Sequence, residues 1–280
     1  SSTFENADEK FSYEYDSMNQ LVRENLYYGE NDSANSTYAY SYDSYGNMLG
    51  KYRYAYTTGS IANKLGITVA EYQYTDSQWG DLLTAVTDGT VSTGSKQNNT
   101  VSYDEMGNPT RYFGAAMTWA GKQLKYWGKS GKYVNFAYNE DGIRTLKNSN
   151  GVVTNYYYNG SLLIGMTVGS GSSTRILRFS YDSSGSVVAV DYSTDNGTTF
   201  NTYYYLRNAQ NDIVKLIDSS GSTVVEYCYD SWGKLLSTSG SLASTLGKNN
   251  PFRYRGYVYT GNLTIDGRRD RFLLPPKQVL

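Results

Sequence analysis

The stretch Tyr227–Ser237 reads YCYDSWGKLLS, and it contains the pattern that decides the fold. Its first three residues have the aromatic, alternating character of a β-strand, and Lys234–Ser237 predict a second strand. Between them, Asp230 can accept hydrogen bonds from backbone amides two residues on, and Gly233 can adopt a positive φ at little cost. The stretch therefore predicts a β-hairpin.

The same pattern recurs along the chain, with copies about twenty to thirty residues apart, which indicates a repeat protein. Two copies have longer turns, YQYTDSQWG ending at Gly80 and YYYLRNAQN ending at Asn211. Asn takes the place of Gly at Asn19 and Asn211, as expected because Asn is the next-best residue in the left-handed region. The structural turn residues assigned from the pattern are Asp16, Asn19, Asp43, Gly46, Asp76, Gly80, Asp104, Gly107, Asn139, Gly142, Asp182, Gly185, Asp230 and Gly233.

A single hairpin is marginal in water, so neighbouring hairpins must pair edge to edge. The predicted fold is all-β, with antiparallel hairpin repeats wound into a curved spiral sheet. Two stretches, 57–70 and 241–250, interrupt the pattern and predict either a short helix or an ordered loop. The stretches 87–100 and 168–174 predict loops.

The composition has 31 Tyr, 28 Gly and 4 Pro, which is typical of many short strands and turns. Because a buried Tyr needs a partner for its hydroxyl, so many tyrosines predict wet faces, either outside or around a hydrated cavity. The net charge of −1 comes from 25 basic and 26 acidic residues without a basic stripe, so we expect no nucleic-acid partner. The sequence also predicts no membrane-spanning segment.

The residue set predicts no catalytic, cofactor-binding or metal site. The chain has no His, which excludes a Ser-His-Asp or Cys-His site and any histidine-bound metal. Cys228 alternates with tyrosines and is interpreted as a packed strand residue. The repeated aspartates are interpreted as turn caps, and the calcium-like run 191–197 has its Gly one position late, so Asn196-Gly197 predicts a hairpin turn instead. Trp79 and Trp232 precede a turn Gly and are interpreted as repeat packing, with stacking on sugar rings as the alternative.

The unit Tyr-Asp-x-x-Gly-x-(Leu, Val or Pro) resembles the YD repeat of RHS proteins, and the resemblance extends over residues 1–259. The second half carries the more specific part, YYYLRNAQNDIVKLIDSSGSTVVEYCYDSWGKLL, followed by STSGSLASTLGKNNPFRYRGY. Its end resembles the entrance to the RHS core segment of bacterial polymorphic toxins. The residues of this core entrance are Pro251, Phe252, Arg253, Tyr254, Arg255, Gly256 and Tyr257.

The resemblance implies a sheet that closes into a hollow β-cocoon. Related repeats occur in the teneurin ectodomain and in insecticidal toxin complexes, and bacterial members enclose a C-terminal toxic domain before delivery. For this chain the resemblance implies a secreted or cell-surface protein of a bacterium.

Residues 260–280 depart from the family pattern and are assigned to a second, aberrant segment. The family continues with a segment such as TGFYYLQSRYY. Permitted codons for Asp270–Leu280 can be chosen so that reading one base later gives TGFYYLQSRY. We therefore hypothesise a shift of reading frame between about residues 260 and 269, which disrupts the core segment.

From these observations we predict a non-enzymatic structural shell of a toxin-type protein, which encloses or presents a passenger domain that these residues do not include. The alternative is a Tyr-rich adhesin that binds glycans at a bacterial cell surface. An open strip of repeats has exposed sheet edges, so we expect pairing with other repeat segments or with another chain. No cofactor is expected.

Overall fold

The computed structural model describes residues 2–6, 9–88, 97–112, 114–230, 233–258, 264–265 and 268–269. The regular structure of these residues is almost entirely antiparallel β-strand, which confirms the predicted fold class. The strands form sheets of eight, fourteen and two strands, and within each sheet every strand pairs with its neighbours in chain order, as expected for a succession of hairpins.

The chain forms two compact units, and the first comprises residues 1–116. It contains an eight-stranded sheet in the order β1 to β8. It also contains β9 and β10, which belong to the fourteen-stranded sheet. Leu26 and Val86 are fully buried there, and the buried Glu24 accepts a hydrogen bond from the hydroxyl of Tyr40. The strands are β1 (Ser2–Asn6), β2 (Glu9–Tyr15), β3 (Leu21–Tyr27), β4 (Ser36–Tyr42), β5 (Met48–Ala55), β6 (Ile67–Gln73), β7 (Ala85–Asp88), β8 (Gln97–Thr100), β9 (Ser102–Tyr103) and β10 (Pro109–Tyr112).

The second unit comprises residues 117–280, and its boundary falls within β11. Its apolar core is built by the inward side chains of successive strands, among them Leu177, Val190, Leu216 and Val225. The strands are β11 (Ala115–Ala120), β12 (Gln123–Lys129), β13 (Lys132–Tyr138), β14 (Arg144–Ser149), β15 (Val152–Asn159), β16 (Leu162–Val168), β17 (Arg175–Tyr181), β18 (Val187–Ser193), β19 (Asn201–Arg207), β20 (Ile213–Ile217), β21 (Thr223–Tyr229) and β22 (Leu235–Ser239). Other elements are a helix, α1 (Leu246–Asn249), two 3-10 turns (Gly171–Ser173 and Tyr254–Gly256), and a ribbon of β23 (Thr264–Ile265) and β24 (Arg268–Arg269).

One turn geometry joins the strands of each repeat. In the turn that begins at Asp43, Oδ1 accepts the N–H groups of Tyr45 and Asn47 at 2.9 and 2.8 Å. Gly46 has φ of 91° and donates to the carbonyl of Asp43. A register shift follows, which is the arrangement of a type I turn with a G1 bulge. The turn recurs at Asp16, Asp104, Asn139, Asp182, Asn208, Asp218 and Asp230.

The residue three positions after each cap lies in the left-handed region, with φ between 60° at Asn19 and 91° at Gly46. The turn at Asp76 differs, because its Oδ1 accepts from Gln78 and Trp79, and Gly80 lies outside the left-handed region. These amides and carbonyls are satisfied within the turn, so each hairpin is stabilised locally.

In five of these hairpins the tyrosine before the cap forms a bond to the backbone of an adjacent strand. The Oη of Tyr42 donates to the carbonyl of Leu21 at 2.8 Å, and that of Tyr138 donates to Leu124 at 2.8 Å. Equivalent bonds join Tyr103 to Leu83, Tyr181 to Leu163, and Tyr229 to Ile213. The prediction that the tyrosines create mainly wet faces is therefore wrong for this set, because backbone carbonyls satisfy their hydroxyls.

Three other local predictions have mixed outcomes. The stretch 57–70 forms an ordered loop that leads into β6, and 241–250 contains α1. The prediction of a loop over 87–100 is wrong at both ends of the stretch. Residues 87–88 belong to β7 and residues 97–100 form β8, which pairs with β7 despite its polar sequence. Trp79 is 66% exposed, so the packing role predicted for it is wrong, whereas Trp232 lies outside the described residues.

Candidate functional site

The core entrance folds back over the last strands of the second unit. Phe252 is buried and makes edge-on contact with the ring of Phe179 at 4.9 Å between centroids. It also contacts the rings of Tyr181 and Tyr205 at 6.4 and 6.2 Å. One phenylalanine thus joins the segment that follows α1 to strands β17 and β19.

Arg253 is the buried cation of this segment, with 4% of its surface exposed. Its Nε donates to the carbonyl of Asn250 at 3.1 Å, and its Nη2 donates to the carbonyl of Gly247. The guanidinium lies 4.1 Å from the centroid of the Tyr227 ring. Hydrogen bonds to carbonyls and a cation–π contact compensate part of the cost of burying the charge.

Asn250 connects the same segment to two tyrosines of the sheet. Its Oδ1 accepts the hydroxyl of Tyr205 at 2.7 Å, and its Nδ2 donates to the hydroxyl oxygen of Tyr227 at 3.2 Å. Burial raises the pKa of both tyrosines. They therefore remain neutral hydrogen-bond donors at ordinary pH.

Arg255 and Gly256 make the turn that closes the segment, with φ of 52° and 69°. The N–H of Arg255 donates to Oδ1 of Asp212 at 2.8 Å, and Oδ2 of the same carboxylate accepts Nδ2 of Asn208 at 2.8 Å. Asp212 is 6% exposed. A buried carboxylate thus holds a left-handed, non-glycine residue in place.

A cavity of about 740 Å³ lies in the second unit next to this segment. Its wall includes Phe252 and Val258 from the segment and Leu124 and Leu163 from the sheet. The tyrosines that face it are Tyr138, Tyr156, Tyr158, Tyr181 and Tyr257. Its charged lining residues are Lys122, Asp141, Arg144, Arg207 and Arg255.

The electrostatics of the cavity favour binding over proton transfer. Burial raises the pKa of Tyr156 to about 12 and that of Tyr181 to about 12, so both stay protonated. Burial, with the neighbouring charge of Arg144, lowers the pKa of Lys147 to about 8. Lys147 does not line the cavity, but Arg144, Arg207 and Arg255 do, and together with the tyrosine hydroxyls they suit recognition of an anion.

The turn residues assigned from the sequence do not form one site, since the repeat distributes them along the sheet at successive turns. The described residues contain no group of three or more His, Cys, Asp or Glu placed to hold a metal ion. No helix in the described part of the chain is long and apolar enough to cross a membrane. Cys228 lies on β21 as a free, partly buried thiol.

Sequence reasoning missed several residues that the structure brings together. Asn208 acts as a turn cap where the pattern YYYLRNAQN was read as a longer turn, and Asp218 was omitted because no tyrosine precedes it. The local signal for both was a Gly or Asn three residues later. Asp212 and Arg144 had no local signal, because their partners are brought to them by the fold.

Comparisons with known proteins agree with this architecture. A chain in the Photorhabdus luminescens Tc holotoxin pore with a mutant TccC3 superposes with a TM-score of 0.55 at 14% identity, over 89% of this chain and 14% of that one. A chain in the TcdB2-TccC3 crystal structure gives 0.53 at 14% identity, over 89% of this chain and 15% of that one. The chain therefore shares the antiparallel β fold of these RHS β-cocoon proteins.

No protein-family model matches the chain. Among curated proteins, it is 33% identical over 207 residues to the tRNA3(Ser)-specific nuclease WapA of Bacillus spizizenii. It is 31% identical over 207 residues to the tRNA nuclease WapA of Bacillus subtilis. The chain is an RHS-like protein. Each match covers 69% of this chain and 8% of the relative, so the chain spans a small part of the length of these relatives.

The relatives overturn the predicted function. A non-enzymatic shell, or a glycan-binding adhesin, was inferred from residues that lack His and paired carboxylates, whereas the curated relatives are named as tRNA nucleases. The prediction failed because it inferred the function of the whole protein from the residues of the repeated sheet alone. The composition of a stretch that matches 8% of a relative does not report what that relative catalyses.

Proposed function

We propose that this chain is the RHS-like sheet region of a bacterial toxin that degrades tRNA. The observation that carries the proposal is its 33% identity over 207 residues to a protein named as a tRNA-specific nuclease. The second unit supports it, because its core entrance is anchored by a buried arginine and by buried Asn–Tyr hydrogen bonds. Such a polar network specifies one arrangement of the segment rather than a loose tail.

Further features of the toxin belong to the same proposal. The Tyr-Asp turns are taken as YD repeats, and the protein as secreted or displayed at the bacterial cell surface. Strand β22 is the last strand of its sheet among the described residues, and we expect it to pair with another repeat segment or with another chain. With 25 basic and 26 acidic residues and no basic stripe, we expect tRNA to be contacted by residues other than those of the sheet.

The test is the fate of cellular tRNA. Two products are induced separately in a bacterium, the 280-residue chain and a complete product, for which the gene carries the one-base correction proposed below for residues 260–280; total tRNA is then separated on a denaturing gel. We expect shortening of one or a few tRNA species with the complete product. Intact tRNA with both products, at protein levels verified by mass spectrometry, would overturn the proposal.

A second proposal concerns residues 260–280, which we infer to be an out-of-frame reading of the RHS core segment. What supports it is the agreement between permitted codons of Asp270–Leu280, read one base later, and the expected TGFYYLQSRY. The described residues here are limited to the backbone of β23 and β24. Sequencing the gene decides it, since a one-base correction must restore that segment.

A further inference from the structure

The cavity of the second unit has the size of a small-molecule site. At about 740 Å³, it falls within the range of cavities that bind compact ligands, roughly 300–1,000 Å³. The apolar wall comes from three parts of the chain, Leu124 on β12, Leu163 on β16, and Phe252 with Val258 in the core entrance segment. An apolar body can therefore be buried there.

The polar part of the wall is dominated by three guanidinium groups. Arg144, Arg207 and Arg255 line the cavity, and none of them forms an ion pair with an Asp or Glu of the described residues. Lys122 and Asp141 add one charge of each sign. The lining of the cavity thus carries more positive than negative charge, although Asp182 and Asp212 lie near enough to Arg207 and Arg255 to interact with them electrostatically.

Arg144 is the most informative of the three. Its Nε is buried and has no hydrogen-bond partner among the described residues. The guanidinium carbon lies 4.6 Å from the centroid of the Phe136 ring and 6.0 Å from that of the Tyr138 ring. Since a buried donor without a partner costs free energy, an acceptor supplied by a ligand would recover it.

Arg207 and Arg255 are held in position beforehand. Nη2 of Arg207 donates to the carbonyl of Val187 at 2.8 Å, and Nη1 donates to Oδ1 of Asn211 at 3.0 Å. The backbone of Arg255 is fixed by its hydrogen bond to Asp212. Ordered cations lose little entropy when an anion binds between them.

We propose that this cavity binds a compact apolar ligand that carries one anionic group, either a carboxylate or a phosphate. The anion is held by the guanidinium of Arg144, with Arg207 and Arg255 adding positive potential, and the apolar body packs against Leu163 and Phe252. This inference does not depend on the nuclease activity proposed above. The two proposals are therefore tested separately. A protein that leaves tRNA intact but binds the ligand contradicts only the nuclease proposal.

The probes are 2-naphthoate, 2-naphthyl phosphate and the neutral 2-naphthol, titrated into the full chain by isothermal calorimetry at neutral pH. We expect saturable binding of at least one anion at one site per chain, and the stronger of the two anions identifies the group. Binding of 2-naphthol should be weaker by about tenfold or more, the loss expected for one charge-assisted hydrogen bond.

Substitutions locate the site. Arg144→Met should weaken anion binding by about tenfold or more. Arg255→Met, at an exposed position, provides a second variant should the first fail to fold, and it should weaken binding in the same direction. The matched control is Arg178→Met, because Arg178 is exposed on β17, stacks on Phe200 and does not line the cavity.

Three outcomes would overturn the proposal. The first is that neither anion binds the unmodified chain. The second is that 2-naphthol binds as tightly as the anions, which would indicate a purely apolar cavity. The third is that the folded Arg144→Met and Arg255→Met variants bind as tightly as the Arg178→Met control.

Discussion

The hydroxyl of Tyr181, the last residue of β17, donates to the backbone carbonyl of Leu163 on β16 at 2.6 Å. The same bond joins Tyr138 to Leu124 in an earlier hairpin of the second unit. At the equivalent position before the Asn208 turn the tyrosine is replaced by Arg207, whose guanidinium donates to the carbonyl of Val187. At these two kinds of turn a long side chain with a terminal donor makes the bond, and tyrosine is the usual choice, whereas Ile217 before the Asp218 turn has no such donor.

Removing that hydroxyl should destabilise the second unit. We expect Tyr181→Phe to lower the free energy of unfolding by about 1 kcal/mol, because one buried hydrogen bond is lost and the ring is kept. The matched control is Tyr157→Phe on β15, since Tyr157 is 50% exposed and its hydroxyl forms no hydrogen bond to the described residues. Chemical denaturation of both variants checks this. Equal stability of the two would show that the bond to Leu163 contributes nothing.

Much of this fold could be predicted from short patterns, because the turn chemistry is local. Asp182 and Gly185 are bonded to residues within their own turn, so the letters YDSSG were sufficient. The bond from Tyr181 to Leu163 joins residues 18 apart in the chain, and the tyrosine alone does not reveal it. The composition therefore suggested wet surfaces, whereas the structure buries many of these rings.

The turn at Gly233 lies against the core entrance, and this should make it less tolerant than other repeat turns. A Cβ built at Gly233 would be 2.3 Å from Cδ1 of Tyr254, whereas one at Gly185 meets nothing within 4 Å. Both glycines have similar φ, 77° and 79°. We expect Gly185→Ala to cost about 1–2 kcal/mol through the left-handed backbone, and Gly233→Ala to cost more through the added clash.

Thermal and urea unfolding of the two glycine variants give the comparison. Because the backbone strain is nearly the same, the difference between them measures how tightly Tyr254 packs on the turn. A Gly233→Ala variant as stable as Gly185→Ala would mean that the core entrance is free to move away.

Arg253 should be needed for the core entrance to stay folded. In Arg253→Met the carbonyls of Gly247 and Asn250 each lose one donor, although Gly247 still accepts the hydroxyl of Tyr227, and the cation–π contact with Tyr227 is lost. We expect a loss of about 2 kcal/mol or more, the usual range for hydrogen bonds that involve a charged group. The control is Lys248→Met, one turn earlier and exposed, which should change stability by less than about 0.5 kcal/mol.

Limited proteolysis gives a second measurement for Arg253→Met. Cleavage within residues 247–258 should become faster in this variant and remain unchanged in Lys248→Met. Unchanged cleavage in both variants would contradict an anchoring role.

The candidate site could be predicted less well than the fold. The core entrance was found from its resemblance to a family, but the partners of its residues were not. Tyr205 and Asn250 are 45 residues apart in the chain, and Arg255 and Asp212 are 43 apart. Local patterns carry no information on contacts at such separations. The cavity lined by Arg255 depends on these contacts, so the sequence did not reveal it.

Alkaline pH should destabilise the protein through its buried tyrosines. Burial raises the pKa of Tyr42, Tyr156 and Tyr181 to about 12, against 10.0 in a solvent-exposed tyrosine. Below pH 10 both the folded and the unfolded chain keep these protons, so the stability is fully present. Between pH 10 and 12 the unfolded chain releases protons that the folded chain retains, and the free energy of unfolding falls as pH rises.

Buried Lys147 contributes with the opposite sign at lower pH. Its pKa of about 8 lies below the ordinary 10.5, so the unfolded chain binds more protons between these values and stability rises with pH there. The lysine contribution fades above pH 10.5, its ordinary pKa, and the tyrosine effect is isolated by comparing variants that share the same lysine.

The measurement is urea unfolding at closely spaced pH values from 8 to 12, with tyrosinate absorbance recorded on the folded protein. We expect stability to decline above pH 10.5, with tyrosinate appearing late for the buried rings. Tyr181→Phe should show a shallower decline, whereas Tyr157→Phe should follow the unmodified protein. A folded protein whose tyrosines all titrate near pH 10, with no difference between these variants, would mean that the hydroxyl bonds do not hold the sheet together.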